Sequence, residues 1–247
     1  MLFMDLIIDL GNTNKKLALF QNGKLADLQI FRELEITLAR DYVMKHPGIK
    51  NCILSSVIDH SSAIPDFLKE HFSFIELDKH TPVPVRNLYK QPETLGKDRL
   101  AAAVAGASLF PGQDVLVINL GSCITYDFVN SRNEYLGGAI SPGMQMRFKA
   151  MNTFTGKLPL VVYKDNEEPI ATDTESSIRS GVVNGMIHEI DGTVAWYQNQ
   201  FNDLKVVLSG GDLNYFDKRL KISIFAVPNI VIEGLYQILA FNVKKTC

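Results

Sequence analysis

Short apolar runs separated by polar stretches rich in Gly, Asn and Pro predict alternating strands and helices along the whole chain. Residues 6–10 and 16–20 read as buried strands joined by Gly11-Asn12-Thr13-Asn14, and Gln21-Asn22-Gly23-Lys24 turns the chain into a third strand over 25–31. Helical spacing over 37–46 ends before Pro47-Gly48, 51–57 is apolar enough for a central strand, 61–72 opens on a serine pair as a short helix, and 75–77 is a further strand. Residues 81–95 carry Pro82, Pro84 and Pro92 and read as an extended connection. The alanine-rich stretch after Gly96-Lys97-Asp98-Arg99 predicts a small-sided helix, packed closely on a neighbour and ending at Pro111-Gly112.

Strand, turn and strand return over 115–130, with a third strand over 134–139. Ser141-Pro142-Gly143 leads into a helix with proline near its first turn, running through Met144, Met146, Phe148 and Met151. Loop and extended chain fill 157–166. Asp173 to Ser177 cap a helix reaching about Phe201, a strand over 205–209 stops at Gly210-Gly211-Asp212, 222–225 is a strand, and 230–241 is the closing helix.

Two phrases in this pattern share one plan: DLIIDLGNTNKKLALF over 5–20 and VLVINLGSCITYDFVN over 115–130. In the first, Gly11 lets the backbone approach a ligand, and Asn12, Thr13, Asn14 and the turn amides can donate to phosphate oxygens. Asp9, at the end of the first strand, places a carboxylate where a magnesium ion bridging phosphates takes an oxygen ligand. Alone, an ordinary hairpin with a polar turn accounts for these residues equally well. Their repetition suggests two related halves, each offering a phosphate-facing turn. Three meandering strands followed by helix and strand in alternation is the order of the ribonuclease-H-like fold, and actin, hexokinase and acetate kinase share the two-half plan. The fold class expected is therefore α/β, with two ribonuclease-H-like domains of that type over 1–113 and 114–247 and a cleft between them.

With 247 residues, 46% hydrophobic and 21% charged, the chain has the make-up of an ordinary globular protein with a substantial core. A net charge of −2 without a basic stripe argues against nucleic acid or an acidic membrane as partner. Cys52, Cys123 and Cys247 are widely spaced and odd in number, which disfavours a disulfide framework or a cysteine zinc site and fits a reducing cytoplasm. The five histidines show no metal-ligand spacing. The start MLFMDLII has no basic segment ahead of an apolar core, and no window approaches a membrane span, so a cytoplasmic location is expected.

Taken together, Asp9-Leu10-Gly11-Asn12-Thr13, Tyr89 followed by Pro92 and Gly96-Lys97-Asp98-Arg99, Asn119-Leu120-Gly121-Ser122 with Thr125 and Asp127, Gly137-Gly138 leading to Ser141-Pro142-Gly143, and Thr174 ahead of Gly181 resemble the type III pantothenate kinases. These motifs stand in the family's order and span most of the chain. The resemblance implies a homodimeric enzyme that transfers the γ-phosphoryl group of ATP to the primary hydroxyl of pantothenate, opening coenzyme A biosynthesis. It implies Asp98 as general base, with Arg99 holding an anion, although Asp98 read by itself could simply cap its helix. It assigns Asp9, Leu10, Gly11, Asn12, Thr13, Asn14, Lys15, Lys16 and Ser122 to ATP, and Tyr89, Gly96, Lys97, Asp98, Arg99 and Thr174 to pantothenate. Packing in a proline-rich loop would also explain Tyr89, and a helix N-cap would explain Thr174.

Magnesium is expected at Asp9. The family's potassium or ammonium site is expected at Asn119, with Asp127 a further candidate ligand. Asn119 departs from the family's aspartate. An amide can still offer its carbonyl oxygen, but a full negative charge is gone, so the monovalent site is expected to be weakened. Gly210-Gly211-Asp212 could approach the adenosine part of ATP or simply end a strand. A kinase for another small hydroxyl substrate, and a non-enzymatic regulator related to Bvg accessory factor, are the rival readings. Retained Asp9, Asp98 and Asp127 disfavour the second.

Overall fold

A computed structural model describes residues 3–165 and 168–246. Met1 and Leu2 of the expected leaderless start, Asn166 of the expected loop and Cys247 lie outside the described residues. The chain forms two units: one takes the chain up to Leu109, Asn133–Tyr135 and everything from Asn229, and the other takes Phe110–Arg132 and Leu136–Pro228.

The first unit opens with β1 (Met4–Leu10), β2 (Lys15–Gln21) and β3 (Lys24–Phe31), an antiparallel meander. Asn22 and Gly23 both take positive φ, 51° and 78°, as the tight turn between β2 and β3 requires. Next come α1 (Ile36–Met44), β4 (Ile49–Ser56), α2 (Ala63–His71) and β5 (Ser73–Glu76). β4 pairs in parallel with β1, and β5 with β4, giving the sheet order β3-β2-β1-β4-β5.

Side chains alternate across this sheet. Leu6, Ile8, Leu10, Leu17, Leu19, Cys52 and Leu54 form one core cluster with Ala39 and Tyr42 of α1 and Ile64 and Leu68 of α2. The opposite set includes Asp5, Ile7, Asp9, Ala18 and Phe20, and Phe20 stacks on Tyr236, ring centroids 4.1 Å apart. Tyr236 belongs to α7 (Ile230–Thr246), so the closing helix packs in the first unit, although chain order put it with the second half.

Two short elements punctuate the proline-rich connection: β6 (Arg86–Asn87), paired in parallel with Glu134 and Tyr135, and a 3-10 turn at Pro92–Thr94. The alanine-rich helix α3 (Lys97–Leu109) then lies against α7. Ala101 to Ala105 are buried all round the helix, and a Cβ placed on Gly234 of α7 would stand 1.8 Å from the Ala101 carbonyl oxygen. The two helices thus meet backbone to backbone, which only small residues permit. Gly234→Ala is expected to cost about 1–3 kcal/mol, because a backbone atom cannot rotate aside; a lowered urea midpoint at unchanged slope is the measurement that checks it.

The second unit repeats the plan. β7 (Val115–Leu120) and β8 (Cys123–Val129) form an antiparallel hairpin, and β9 (Glu134–Pro142) follows beside β8. α4 (Met144–Thr153) and the long α5 (Thr174–Gln200) come next, then β10 (Lys205–Ser209), α6 (Leu213–Phe216) and β11 (Phe225–Ala226). β10 is parallel to β7 and β11 to β10, so β9-β8-β7-β10-β11 has the same order and directions as β3-β2-β1-β4-β5.

Leu116, Ile118, Leu120, Ile124, Tyr126 and Phe128 meet α4 and α5 through Met144, Phe148, Ile178, Val182, Met186 and Ile190 in a single core. Asp173 caps α5, accepting from the Ser176 amide at 3.0 Å while the Ser176 hydroxyl accepts from the Asp173 amide.

Three expectations shift. Pro142 ends β9 rather than entering the first turn of α4, whose N-cap is Gly143. The strand expected over 222–225 shrinks to Phe225–Ala226, because the Lys221 amide bonds Asp191 of α5 while Ile222 and Ile224 pack on the core. The short α6 had no sequence signal beyond the preceding Gly210-Gly211-Asp212 turn.

Candidate active site

The first unit carries its polar residues as a row across three strands. In the register, Asp9 of β1 faces Lys16 of β2 on one side and Ser55 of β4 on the other. The row sits two residues before Gly11, on the sheet face opposite the Leu6–Ile8–Leu10 set. The Gly11 amide donates to the Asn14 carbonyl at 3.1 Å, and a Cβ on Gly11 would press to 2.9 Å from that same oxygen. Asn12, Thr13 and Asn14 project from this turn as exposed residues, and Lys15 reaches back to the Asn12 carbonyl at 3.5 Å.

Asp9 is 8% exposed. Burial pushes its carboxyl up to about 6, the Lys16 ammonium pulls it back, and the Asp98 carboxylate adds to the rise. Burial also lowers the Lys16 ammonium, with Asp9 opposing. Lys16 donates through Nζ to Asn229 Oδ1 at 3.0 Å. Asn229 has a positive φ of 59° and presents its carbonyl to the first amides of α7, so one residue caps that helix and fixes the lysine.

Asp98 and Arg99 lie in the first turn of α3. The Arg99 amide donates to Asp98 Oδ1 at 2.9 Å, and a Cβ on Gly96 would stand 2.6 Å from that oxygen. Glycine at 96 therefore leaves the carboxylate its room. Arg99 is 5% exposed, and its guanidinium lies 5.8 Å from the centre of the Tyr89 ring. Tyr89 stacks in turn on Tyr135, and its amide donates to Asn87 Oδ1. Asp9, Lys16, Asp98, Arg99 and Tyr89 are thus linked within one unit; Lys97 opens the same helix.

The second unit has a matching row: Asn119 of β7 faces Thr125 of β8 and Ser209 of β10, two residues before Gly121. Asn119 occupies the place that Asp9 holds in the first unit, Thr125 that of Lys16, and Ser209 that of Ser55. The repeat therefore swaps an ionic row for a neutral one. Asp127 is fully buried on the same face, opposite Val117.

Close backbone contacts hold the Gly121-Ser122 turn. Gly143 donates to the Ser122 carbonyl at 3.1 Å and Asp212 to the Leu120 carbonyl at 3.1 Å. Gly210, at φ 103°, would place a Cβ 2.2 Å from the Leu120 oxygen. Gly210-Gly211-Asp212 therefore adjoins the second glycine turn, and burial pushes the Asp212 carboxyl up to about 6. Thr174 opens α5 and lines an open groove of about 560 Å³ with Met151, Leu158 and Ile178.

Among the described residues, no group of three or more His, Cys, Asp or Glu side chains could hold a metal ion. An ion at Asp9 would take most of its ligands from phosphates and water, as magnesium does. The buried Asp9, its carboxyl pushed up by burial and by Asp98, fits such an ion, since a dication relieves the cost of keeping the carboxylate charged.

Sequence reasoning passed over Ser55 and Asn229. Ser55-Ser56 does interrupt the apolar run of β4 at the level of Asp9, a usable signal. The Lys16–Asn229 contact spans 213 positions and leaves no local trace. Cys52 and Cys123 are free cysteines, Cys52 deep in the core.

Residues 5–196 match the family model described as type III pantothenate kinase. A type III pantothenate kinase of Phocaeicola vulgatus is 47% identical over 243 residues, covering 98% of this chain and 100% of that protein. One of Christiangramia forsetii is 44% identical over 240 residues, covering 97% and 99%. Among solved structures, a conserved Baf-family protein of Campylobacter jejuni, described as a transcriptional activator, aligns at a TM-score of 0.59 with 21% identity over 97% of this chain and 99% of that one. A glucokinase from an Antarctic psychrotroph aligns at 0.54 with 12% identity, covering 98% and 100%. These structural likenesses carry the fold, an actin- and hexokinase-like pair of ribonuclease-H-like domains. The full-length matches carry more: this chain belongs to the type III pantothenate kinase family.

Proposed function

We infer that the chain phosphorylates pantothenate on its primary hydroxyl with ATP, the first step of coenzyme A biosynthesis, working in the cytoplasm as a homodimer. The observation that carries the site is a pair of carboxylates, buried Asp9 and half-buried Asp98, beside an exposed Gly-Asn-Thr-Asn turn and a buried arginine on a tyrosine face. Phosphoryl transfer demands mainly positioning and charge neutralisation, and these residues supply both.

In this reading the Gly11 turn and Ser122 receive the ATP phosphates, and Lys16, fixed by Asn229, directs its ammonium toward them. Asp9 would hold magnesium, which would supply positive charge against the phosphates. Asp98 accepts the hydroxyl proton, and Arg99, Tyr89, Lys97 and Thr174 orient pantothenate, Arg99 against its carboxylate. The Asn119–Thr125–Ser209 row offers neutral oxygens to a monovalent cation, with the Asp127 carboxylate deeper on the same face. Potassium or ammonium binding is therefore weaker than at a site built on aspartate. Exposed Phe154, Leu160, Val162 and Ile170 support burial against a second copy.

The test is ADP formation by the purified chain with ATP and magnesium, with and without pantothenate. Release that depends on pantothenate is expected, and its loss on chelating the metal. ADP formation indifferent to pantothenate would refute the substrate assignment, and none at all would refute the kinase reading.

A further inference from the structure

The second glycine turn is gripped by a polar network distant from it in sequence. Arg147 of α4 donates through Nε to the Pro142 carbonyl at 2.8 Å, and through Nη2 to Ser141 Oγ at 2.9 Å and to the Glu189 carboxylate. Glu189, on the long helix α5, also accepts the Tyr126 hydroxyl at 3.0 Å. These bonds and the arginine charge outweigh burial and hold its carboxyl below the usual range. One guanidinium and one carboxylate thereby tie the Ser141-Pro142-Gly143 segment, β8 and α5 together.

That segment is the one seated on the turn. Gly143 donates its amide to the Ser122 carbonyl, and a Cβ there would lie 2.3 Å from the Gly121 oxygen and 2.6 Å from the Ser122 oxygen. No side chain cushions the contact, so a displacement of the segment must move the turn. Tyr126 grips the other arm, since it stands on β8, which begins at Cys123. A partly buried ion pair gives little net stability over an apolar pair, but its fixed geometry sets position.

We propose that Glu189 and Arg147 are positioning residues that set the Gly121-Ser122 turn for the ATP phosphates, acting through Ser141-Pro142-Gly143. This rests on the reading of that turn as phosphate-facing. Glu189→Ala removes the acceptor of the Arg147, Ser141 and Tyr126 hydrogen bonds, Glu189→Gln keeps a carbonyl that can accept one, and Ser141→Ala removes its contacts to Arg147 and Glu189 without touching charge.

The experiment measures, for wild type and the three variants, kcat, both KM values, binding of a non-hydrolysable ATP analogue by calorimetry, and the melting temperature. Glu189→Ala is expected to weaken analogue binding and raise KM for ATP by about 3- to 30-fold, with KM for pantothenate unchanged. Glu189→Gln should recover part of that loss, and Ser141→Ala should show a smaller loss of the same kind. A lower melting temperature with unchanged analogue affinity would overturn the proposal and leave a purely structural tie. If Glu189→Ala does not fold, Glu189→Gln and Ser141→Ala decide by the same affinity readout. Wild type that binds no analogue would overturn the functional reading and this inference together, whereas active wild type with unaffected variants overturns the inference alone.

Discussion

Asp98→Asn is expected to lower kcat by about 10²- to 10⁴-fold, the range a positioned general base contributes, while nucleotide affinity stays close to wild type. The substitution is nearly isosteric. The side-chain oxygen of the introduced amide would still accept the Arg99 backbone N–H that Asp98 Oδ1 accepts at 2.9 Å, so the start of α3 keeps its shape. What disappears is the ability to take a proton. A second consequence separates this from a general disturbance. The Asp98 charge contributes to the raised pKa of Asp9, so its removal should move the acid limb of any residual activity to lower pH. Unchanged turnover would remove Asp98 from the role of base, and a collapse of nucleotide binding would make it part of the phosphate site.

Both glycine hairpins were legible because each is local: an apolar run, a Gly turn and a second run need no distant partner to be recognised. The alanine-rich α3 was legible for the same reason, including its close packing, although not the identity of its neighbour. Gly234, whose missing side chain admits the Ala101 carbonyl, lies far along the chain in a segment that reads as an ordinary apolar helix. For that reason chain order misplaced α7.

The cross-strand rows were half legible. Asp9 and Asn119 announce themselves before their glycines, but Ser55 and Ser209 become their neighbours only through parallel register, which follows from tertiary pairing. The Arg147–Glu189 pair was invisible for a plainer reason: on a helix surface a lone arginine or glutamate reads as solvated until the partner element is placed. Ile222 and Ile224 show the converse error, apolar positions that the core claims before the sheet does.

Asp9→Asn should make the protein inactive and, at neutral pH, more stable. The Asp9 carboxyl rises from 3.8 to about 6 on folding, mainly through burial, so the folded chain holds that proton more tightly than the unfolded one. Stability therefore falls as pH climbs from near 4 to near 6, and above that window the ionised group costs about 3 kcal/mol. An amide carries no such cost. Lys16 loses its carboxylate neighbour in the variant, a loss already counted in the Asp9 shift, while its bond to Asn229 remains. A gain of about 1–3 kcal/mol at pH 7.5 is expected for the metal-free variant, shrinking toward zero near pH 4, where wild-type Asp9 is itself protonated. Loss of the carboxylate proposed to hold magnesium should meanwhile lower kcat/KM by at least about 100-fold. Urea titrations of both proteins at pH 4.5 and 7.5, with pantothenate-dependent ADP release, check the two halves together. An Asp9→Asn protein less stable than wild type at pH 7.5 would make Asp9 a structural partner of Lys16 instead of a charge kept at the expense of the fold for use on ATP.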